Sequence, residues 1–228
     1  LVQVVGDAAT PPREALWAAE QCLRAGCCGA VLCWPRQADD RALRRLQVAA
    51  ETGATLVHPY ADARVIAGQG TAALELLQQA GSLDAVVVPV GGGGLAAGTA
   101  LALAAAAPDC RLVLAEPAGA ADTARALAAG VRQTDFVPDT VCDGLRAVLG
   151  EPNFRILQAA GAEAAVVDDA ATLAAMRLLW QELKQVVEPS SAIALAAVLA
   201  QPQRFAGLRV GVVLTGGNVD LEALPWRA

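Results

Sequence analysis

Four consecutive glycines, Gly91, Gly92, Gly93 and Gly94, divide the stretch DAVVVPVGGGGLAAGTALALAAAAP between Asp84 and Pro108. The residues before them form an apolar, β-branched run that reads as a buried strand, and the Ala- and Leu-rich residues from Leu95 onward read as a helix. Glycine lets the backbone take φ > 0 without a Cβ clash, so several N–H groups can converge on one anion. The helix opening from the loop adds the partial positive charge of its N-terminus. Strand, glycine turn and helix together describe a phosphate cradle that needs no lysine. A flexible glycine-rich linker would instead carry polar flanks without periodicity.

Composition narrows the partners. The chain has 228 residues, 55% of them hydrophobic, enough to bury a sizeable core in one α/β domain or in a smaller and a larger lobe. A formal net charge of −6 argues against nucleic acid or an anionic membrane surface as the main partner. The sequence shows neither an unbroken apolar span nor a basic leader, which favours a cytoplasmic location. Of the six cysteines, Cys22, Cys27, Cys28 and Cys33 crowd one segment without a histidine beside them. They read as reduced thiols rather than a zinc site. Lys184 is the only lysine and His58 the only histidine, so a mechanism built on two histidines is excluded.

Apolar runs alternate with helical patterns along the whole chain. Strands are expected over 1–5, 30–34, 54–57, 85–90, 111–117, 164–169 and 208–218. Helices are expected over 13–25, 39–52, up to Gly81, from Leu95, over 122–129, briefly after Asp143, over 171–187 and over 190–199. Such alternation implies a mostly parallel sheet covered on both faces, with ligands beyond the carboxyl ends of its strands. The glycine loop, Glu116 and Thr215 fall at such ends. One reading of this arrangement is a dinucleotide fold. Gly92, Gly94 and Ala97 match the permissive form of its fingerprint, and Glu116 stands where a ribose-binding acid is expected.

A second reading explains further strings together: HPYADARVIAGQGTAALELL, VVVPVGGGGLAAG, LAEPAGAAD, TVCDGLRAVLG, VVEPSSAIALAAVL and LTGGNVDL. In this order they resemble the fold type II pyridoxal-phosphate enzymes, in the serine racemase and serine/threonine dehydratase branch. The resemblance implies a tryptophan-synthase-β-like α/β fold, with a partial small lobe over 1–57 and a large cofactor-binding lobe over 58–228. It implies that Gly91, Gly92, Gly93 and Gly94 hold the phosphate of pyridoxal 5'-phosphate, and that Gly144 and Glu188 lie near the cofactor. Thr215 would face the pyridine nitrogen, where a neutral hydroxyl does not enforce protonation and leaves a moderated electron sink. Glu116, Asp122 and the carbonyl of Ala120 would hold Mg²⁺, Mn²⁺ or Ca²⁺, with a strand-end acid and a helix-capping aspartate as the plainer alternative. Asp143 would neighbour a serine or threonine substrate. Lys184 and Asn218 would contribute to a site for ATP or another nucleotide at a homodimer interface, although a solvated helix-face charge serves Lys184 equally well. His58 reads as structural. Ala147 departs from the pattern, which usually has a hydroxyl residue near the substrate carboxylate.

Two further departures concern the beginning of the chain. The S-x-K-x-R-G segment whose lysine bonds the cofactor in this family is missing, as is the S-x-N-H-[GA] loop. The chain therefore looks like the C-terminal part of such an enzyme, through truncation, an incomplete gene model or true loss of the lysine. A lysine-free regulatory module is the alternative. Residues 22–43 are in excess relative to the family, as a β-α insertion or as translated non-coding sequence.

Overall fold

The computed structural model describes residues 2–4, 20–21, 31–33 and 57–226. The chain divides into two units, Leu1–Val57 and His58–Ala228. In the first, β1 (Val2–Val4) and β2 (Val31–Cys33) pair in parallel, with Val2 opposite Val31 and Val4 opposite Cys33. A parallel pair needs a crossover, and Glu20 and Gln21 between the strands are helical. The helix expected over 39–52 lies outside the described residues. So do the strand over 54–57, apart from Val57, and the insertion over 22–43, apart from Val31–Cys33.

In the second unit, α1 (Ala63–Ala80) starts at an Asp62 cap and stops at Gly81. Then follow β3 (Ala85–Pro89), α2 (Gly94–Ala106), β4 (Arg111–Pro117), α3 (Asp122–Ala129), α4 (Glu151–Ala159), β5 (Glu163–Val167), α5 (Asp169–Leu178), α6 (Pro189–Ala200), α7 (Pro202–Phe205) and β6 (Val210–Val212). Four of the strands form one parallel sheet in the order β5-β4-β3-β6. Successive side chains of β3 take opposite faces, as a pleat requires. Val86 and Val88 join Leu103 of α2 and Phe154 and Leu157 of α4, while Val87 joins Ala175 of α5 and Ile193 and Ala197 of α6. Both faces are thus covered by helices, and an all-apolar strand is the natural consequence.

Three expectations change. The helix expected over 171–187 is α-helical only to Leu178. It continues as a π turn, Leu179–Leu183, and ends where Lys184 takes a left-handed φ of 57°. Trp180 closes that turn by donating from Nε1 to the Val187 carbonyl at 2.9 Å and packing edge-on against Trp226, with centroids 5.4 Å apart. The short helix expected after Asp143 is a single 3-10 turn, Asp143–Leu145, and α4 is a separate helix that begins with Pro152 in its first turn. The strand expected over 208–218 pairs only through Val212, so Thr215 lies beyond the strand rather than in its last position.

α1 and α2 cross where Gly70 meets Gly98. A Cβ on Gly98 would lie 2.3 Å from the Ile66 carbonyl oxygen and 2.5 Å from the Gly70 nitrogen, both rigid backbone. Gly68, two residues earlier on α1, faces open space. Gly98→Ala should therefore lower unfolding free energy in urea by about 1–3 kcal/mol through overpacking. Gly68→Ala should raise it by up to about 1 kcal/mol through helix propensity alone. Equal effects would contradict the close crossing.

Candidate active site

The chain steps from β3 to β4 to β5 on one side and returns with β6 on the other, so the sheet reverses its winding between β3 and β6. Ligands of open parallel sheets bind outside the carboxyl ends of the strands at such a reversal. The segments that leave β3 and β6 there are the glycine loop and residues 213–218. A cavity of ≈ 340 Å³ opens between them, walled by the four glycines, Tyr60, Gly144, Ala147 and Thr215.

All four glycines are buried. Gly93 is the residue before α2, with φ 87° and ψ 6°, and no side chain caps the helix. The first helical bond runs from the Ala97 N–H to the Gly93 carbonyl at 2.8 Å. The N–H groups ahead of it have no carbonyl one turn back and stand as donors at the cavity wall. Neighbours leave no room for side chains here. A Cβ on Gly92 would lie 2.5 Å from the Tyr60 ring, and one on Gly91 would lie 2.9 Å from Leu145 Cα.

Opposite the loop, the VVEPSS string latches two segments to the start of α6. Ser190 Oγ accepts from the Gly144 N–H at 3.0 Å, and Ser191 Oγ accepts from the Thr215 N–H at 2.9 Å. Glu188 Oε2 accepts from the Asn218 N–H at 2.9 Å, and Gly216 passes so close that a Cβ there would be 2.8 Å from Glu188 Oε1. Asp143 Oδ1 is 3.5 Å from Ser190 Oγ. Asp169 anchors the preceding loop through the Thr140 hydroxyl at 2.6 Å and the Val141 N–H at 2.9 Å. Glu188 and Asp143 are therefore beside the cavity, while Gly144 and Thr215 are in its wall. Lys184 is elsewhere: it is exposed, and its ammonium donates to the Gln181 carbonyl. Asn218 is tied through its main chain to Glu188, and no hydrogen bond joins it to Lys184 among the described residues. His58 Nδ1 accepts from the Ala61 N–H at 3.0 Å and the ring packs edge-on to Tyr60.

Glu116 and Asp122 occupy the carboxyl edge of β4 and the first residue of α3. Glu116 is 0% exposed, and its two oxygens accept from the Thr123 and Ala124 N–H groups at 2.7 and 2.8 Å. The helix cap is thus Glu116, reaching across seven residues. Asp122, a cap in the plainer expectation, instead accepts from the Leu149 N–H at 3.0 Å. Its other oxygen, Oδ1, is buried without a partner. Ala120 is buried beside them in the 3-10 turn Ala118–Ala120. Among the described residues no group of three His, Cys, Asp or Glu side chains is assembled for an ion, so cation binding here would need the Ala120 carbonyl and water as well.

The family model for pyridoxal-phosphate dependent enzymes matches residues 10–216. The chain belongs to that family. It is 50% identical over 180 residues to the β-hydroxyaspartate dehydratase of Paracoccus denitrificans, covering 79% of this chain and 57% of the relative. It is 44% identical over 183 residues to the serine racemase of Arabidopsis thaliana, covering 78% and 55%. The structure of maize serine racemase superposes with a TM-score of 0.77 at 41% identity, covering 81% of this chain and 59% of that one. The chain thus spans little more than half the length of the curated relatives it matches. The pyridoxal-phosphate family replaces the dinucleotide reading. No helix among the described residues is long and apolar enough to cross a membrane.

Several working residues escape sequence reasoning. Ser190 and Ser191 are visible in the motif, but their partners 46 and 24 residues away are not. Asn153 and Asp169 carry no motif at all, and Tyr60 lies inside the HPYADAR string with no role assigned to it there.

Burial pushes the Glu116 carboxyl up to about 7, against the two amide bonds that favour its charge and with added repulsion from Asp122. Burial raises Asp122 as well. A group raised in the folded state contributes stability below its unfolded value, here 4.5, that is lost as pH climbs through about 7. With a chelator present, urea unfolding should therefore show stability falling between these limits, by on the order of 3 kcal/mol from Glu116. Glu116→Gln should flatten that part of the profile. A slope unchanged by the substitution would contradict the raised value.

Proposed function

We propose that this chain supplies the phosphate-binding part of the active site of a pyridoxal-phosphate-dependent enzyme acting on small β-hydroxy amino acids. The reaction is proton removal at Cα, followed by loss of the β-hydroxyl as water and hydrolysis of the released enamine to oxoacid and ammonia, or by reprotonation to the other enantiomer. The observation that carries the reading is the buried glycine loop opening into the uncapped start of α2, at the winding reversal of the sheet. When bound, pyridoxal phosphate supplies the electron sink for charge at Cα.

The residues present fit that group. The amides of residues 91–94 and the helix start would take the phosphate. Thr215, across the cavity, would offer its hydroxyl to the ring nitrogen, and the Ser191 bond to its N–H fixes its main chain. Gly144, held by Ser190, leaves space for the ring, and Asp143 and Ala147 would border the substrate side chain. Glu188, beside Gly216, would lie near the cofactor ring. Serine, threonine and 3-hydroxyaspartate are the proposed substrates, in line with the names of the relatives. Lys184 is not in the cavity wall, so the lysine that bonds the cofactor aldehyde would come from outside residues 1–228. Pairing of two copies rests on the resemblance alone, and a cytoplasmic setting on the sequence alone. Neither Lys184 nor Asn218 adds a geometric argument for a nucleotide effector, which rests on the resemblance alone.

Pyridoxine 5'-phosphate carries the phosphate but needs no bond to lysine. Calorimetric titration should show it binding at least about tenfold more tightly than pyridoxine, the effect of charge-assisted hydrogen bonds to one end of the ligand. Gly93→Ala, which forces a Cβ into a left-handed position 2.5 Å from Leu149 Cδ1, should abolish the difference. Equal affinities for the two ligands in the unmutated chain would remove the basis of the proposal.

The Asp122 oxygen left without a partner also fits a hard cation, with Glu116 and the Ala120 carbonyl beside it. Mg²⁺, Ca²⁺ or Mn²⁺ at 100 times its dissociation constant should then stabilise the chain by roughly 2.7 kcal/mol, well beyond NaCl of matched ionic strength. Asp122→Ala should remove the divalent-specific gain. Identical melting shifts with Mg²⁺ and NaCl would refute the cation site and leave the phosphate reading intact.

A further inference from the structure

We propose that Asn153, in the first turn of α4, is the positioning residue of the phosphate cradle: it holds the Gly92 carbonyl beneath the loop and thereby turns the Gly93 N–H toward the cavity. The inference rests on the cradle reading above and assigns its geometry to a side chain outside the loop.

Asn153 is 0% exposed. Its Nδ2 donates to two main-chain carbonyls, that of Gly92 at 2.6 Å and that of Tyr60 at 2.9 Å. Carbonyls only accept, so this amide orientation is the one that makes both bonds. It leaves Asn153 Oδ1 buried without a partner, a desolvation cost that an apolar side chain would avoid. Nor does the side chain serve its own helix, since the residue before α4 is Gly150 and no side chain caps it. The Gly92 carbonyl receives a second bond from the Gly150 N–H at 3.0 Å, so both its acceptor positions are engaged from the α4 side.

A trans peptide is planar, with its N–H pointing opposite to its C=O, and the chain has no cis peptide among the described residues. Anchoring the Gly92 carbonyl toward α4 therefore directs the Gly93 N–H the other way, and Gly93 is in the cavity wall. Between glycines this peptide plane meets little steric resistance to turning over, so the two donated hydrogen bonds select its orientation. The bond from the same amide to Tyr60 secures the segment whose ring covers Gly92, closing the clamp from the other side.

The test compares the 228-residue chain with Asn153→Leu, which keeps the side chain's approximate size and removes both donors, and Asn153→Ser, which keeps one. Pyridoxine 5'-phosphate, pyridoxine and inorganic phosphate are titrated by calorimetry, and the Gly93 amide resonance is followed by NMR as phosphate is added. In the unmutated chain that resonance should move downfield. In Asn153→Leu it should stay in place, and both phosphate ligands should bind about tenfold more weakly, the scale of one lost charge-assisted bond, with pyridoxine unaffected. Asn153→Ser should be intermediate, and it decides by the same criteria if the leucine variant does not fold. Undiminished phosphate binding, an equal loss for pyridoxine, or an unaltered Gly93 response would overturn the assignment. An unmutated chain that binds neither phosphate ligand would overturn the cradle itself, before any variant is compared.

Discussion

Everything at the site depends on how closely other parts of the chain approach the backbone of residues 91–94. Tyr60 lies against Gly92 and Gly94, Leu145 against Gly91, and Leu149 with Asn153 against Gly93. A side chain at any of the four would push one of these groups away, so glycine is demanded by packing as well as by the one left-handed φ. The loop is consequently a wall built from several segments, not a flexible turn. The directions of its amides are set in advance, so the anion proposed to bind there would meet little ordering cost.

The two acidic residues expected to act as a pair have different work in the fold. Glu116 supplies two acceptor oxygens to the N–H groups at the start of α3, and so locks that helix to the end of β4. Asp122 instead fixes Leu149, whose neighbour Gly150 bonds to the glycine loop. Hydroxyls do the equivalent service opposite, where Ser190 and Ser191 join the two remaining segments of the site to α6. Small polar side chains at helix starts recur as the fasteners, because each reaches a backbone N–H that the helix or sheet has left over.

Much of this was readable in advance where local chemistry is decisive. Arg111–Pro117 and Asp122–Ala129 are bounded by Asp, Gly and Pro, and both elements form over those residues. The glycine loop was legible because a strand pattern and a helix pattern abut it. The π turn was not, since Leu179–Leu183 continues the apolar rhythm of α5 and the helix ends on a left-handed lysine rather than a glycine. The apolar run through Leu214 likewise overstates β6, because pairing is decided by the neighbouring strand. Capping of α3 by Glu116, and the hold of Asn153 on Gly92, are contacts between distant segments that no motif records.

The short pairing of β3 with β6 acts as a ruler. Val87 lies opposite Val212, and from there the chain runs four residues to Gly91 on one side and three to Thr215 on the other. A slip of one residue would slide the two ends of the cavity past each other by about 3.3 Å and turn the slipped strand's buried side chains outward. The span of molecule that can touch both the glycine amides and the threonine hydroxyl is therefore written into strand register, and side-chain changes within the cavity can alter what binds without altering that length.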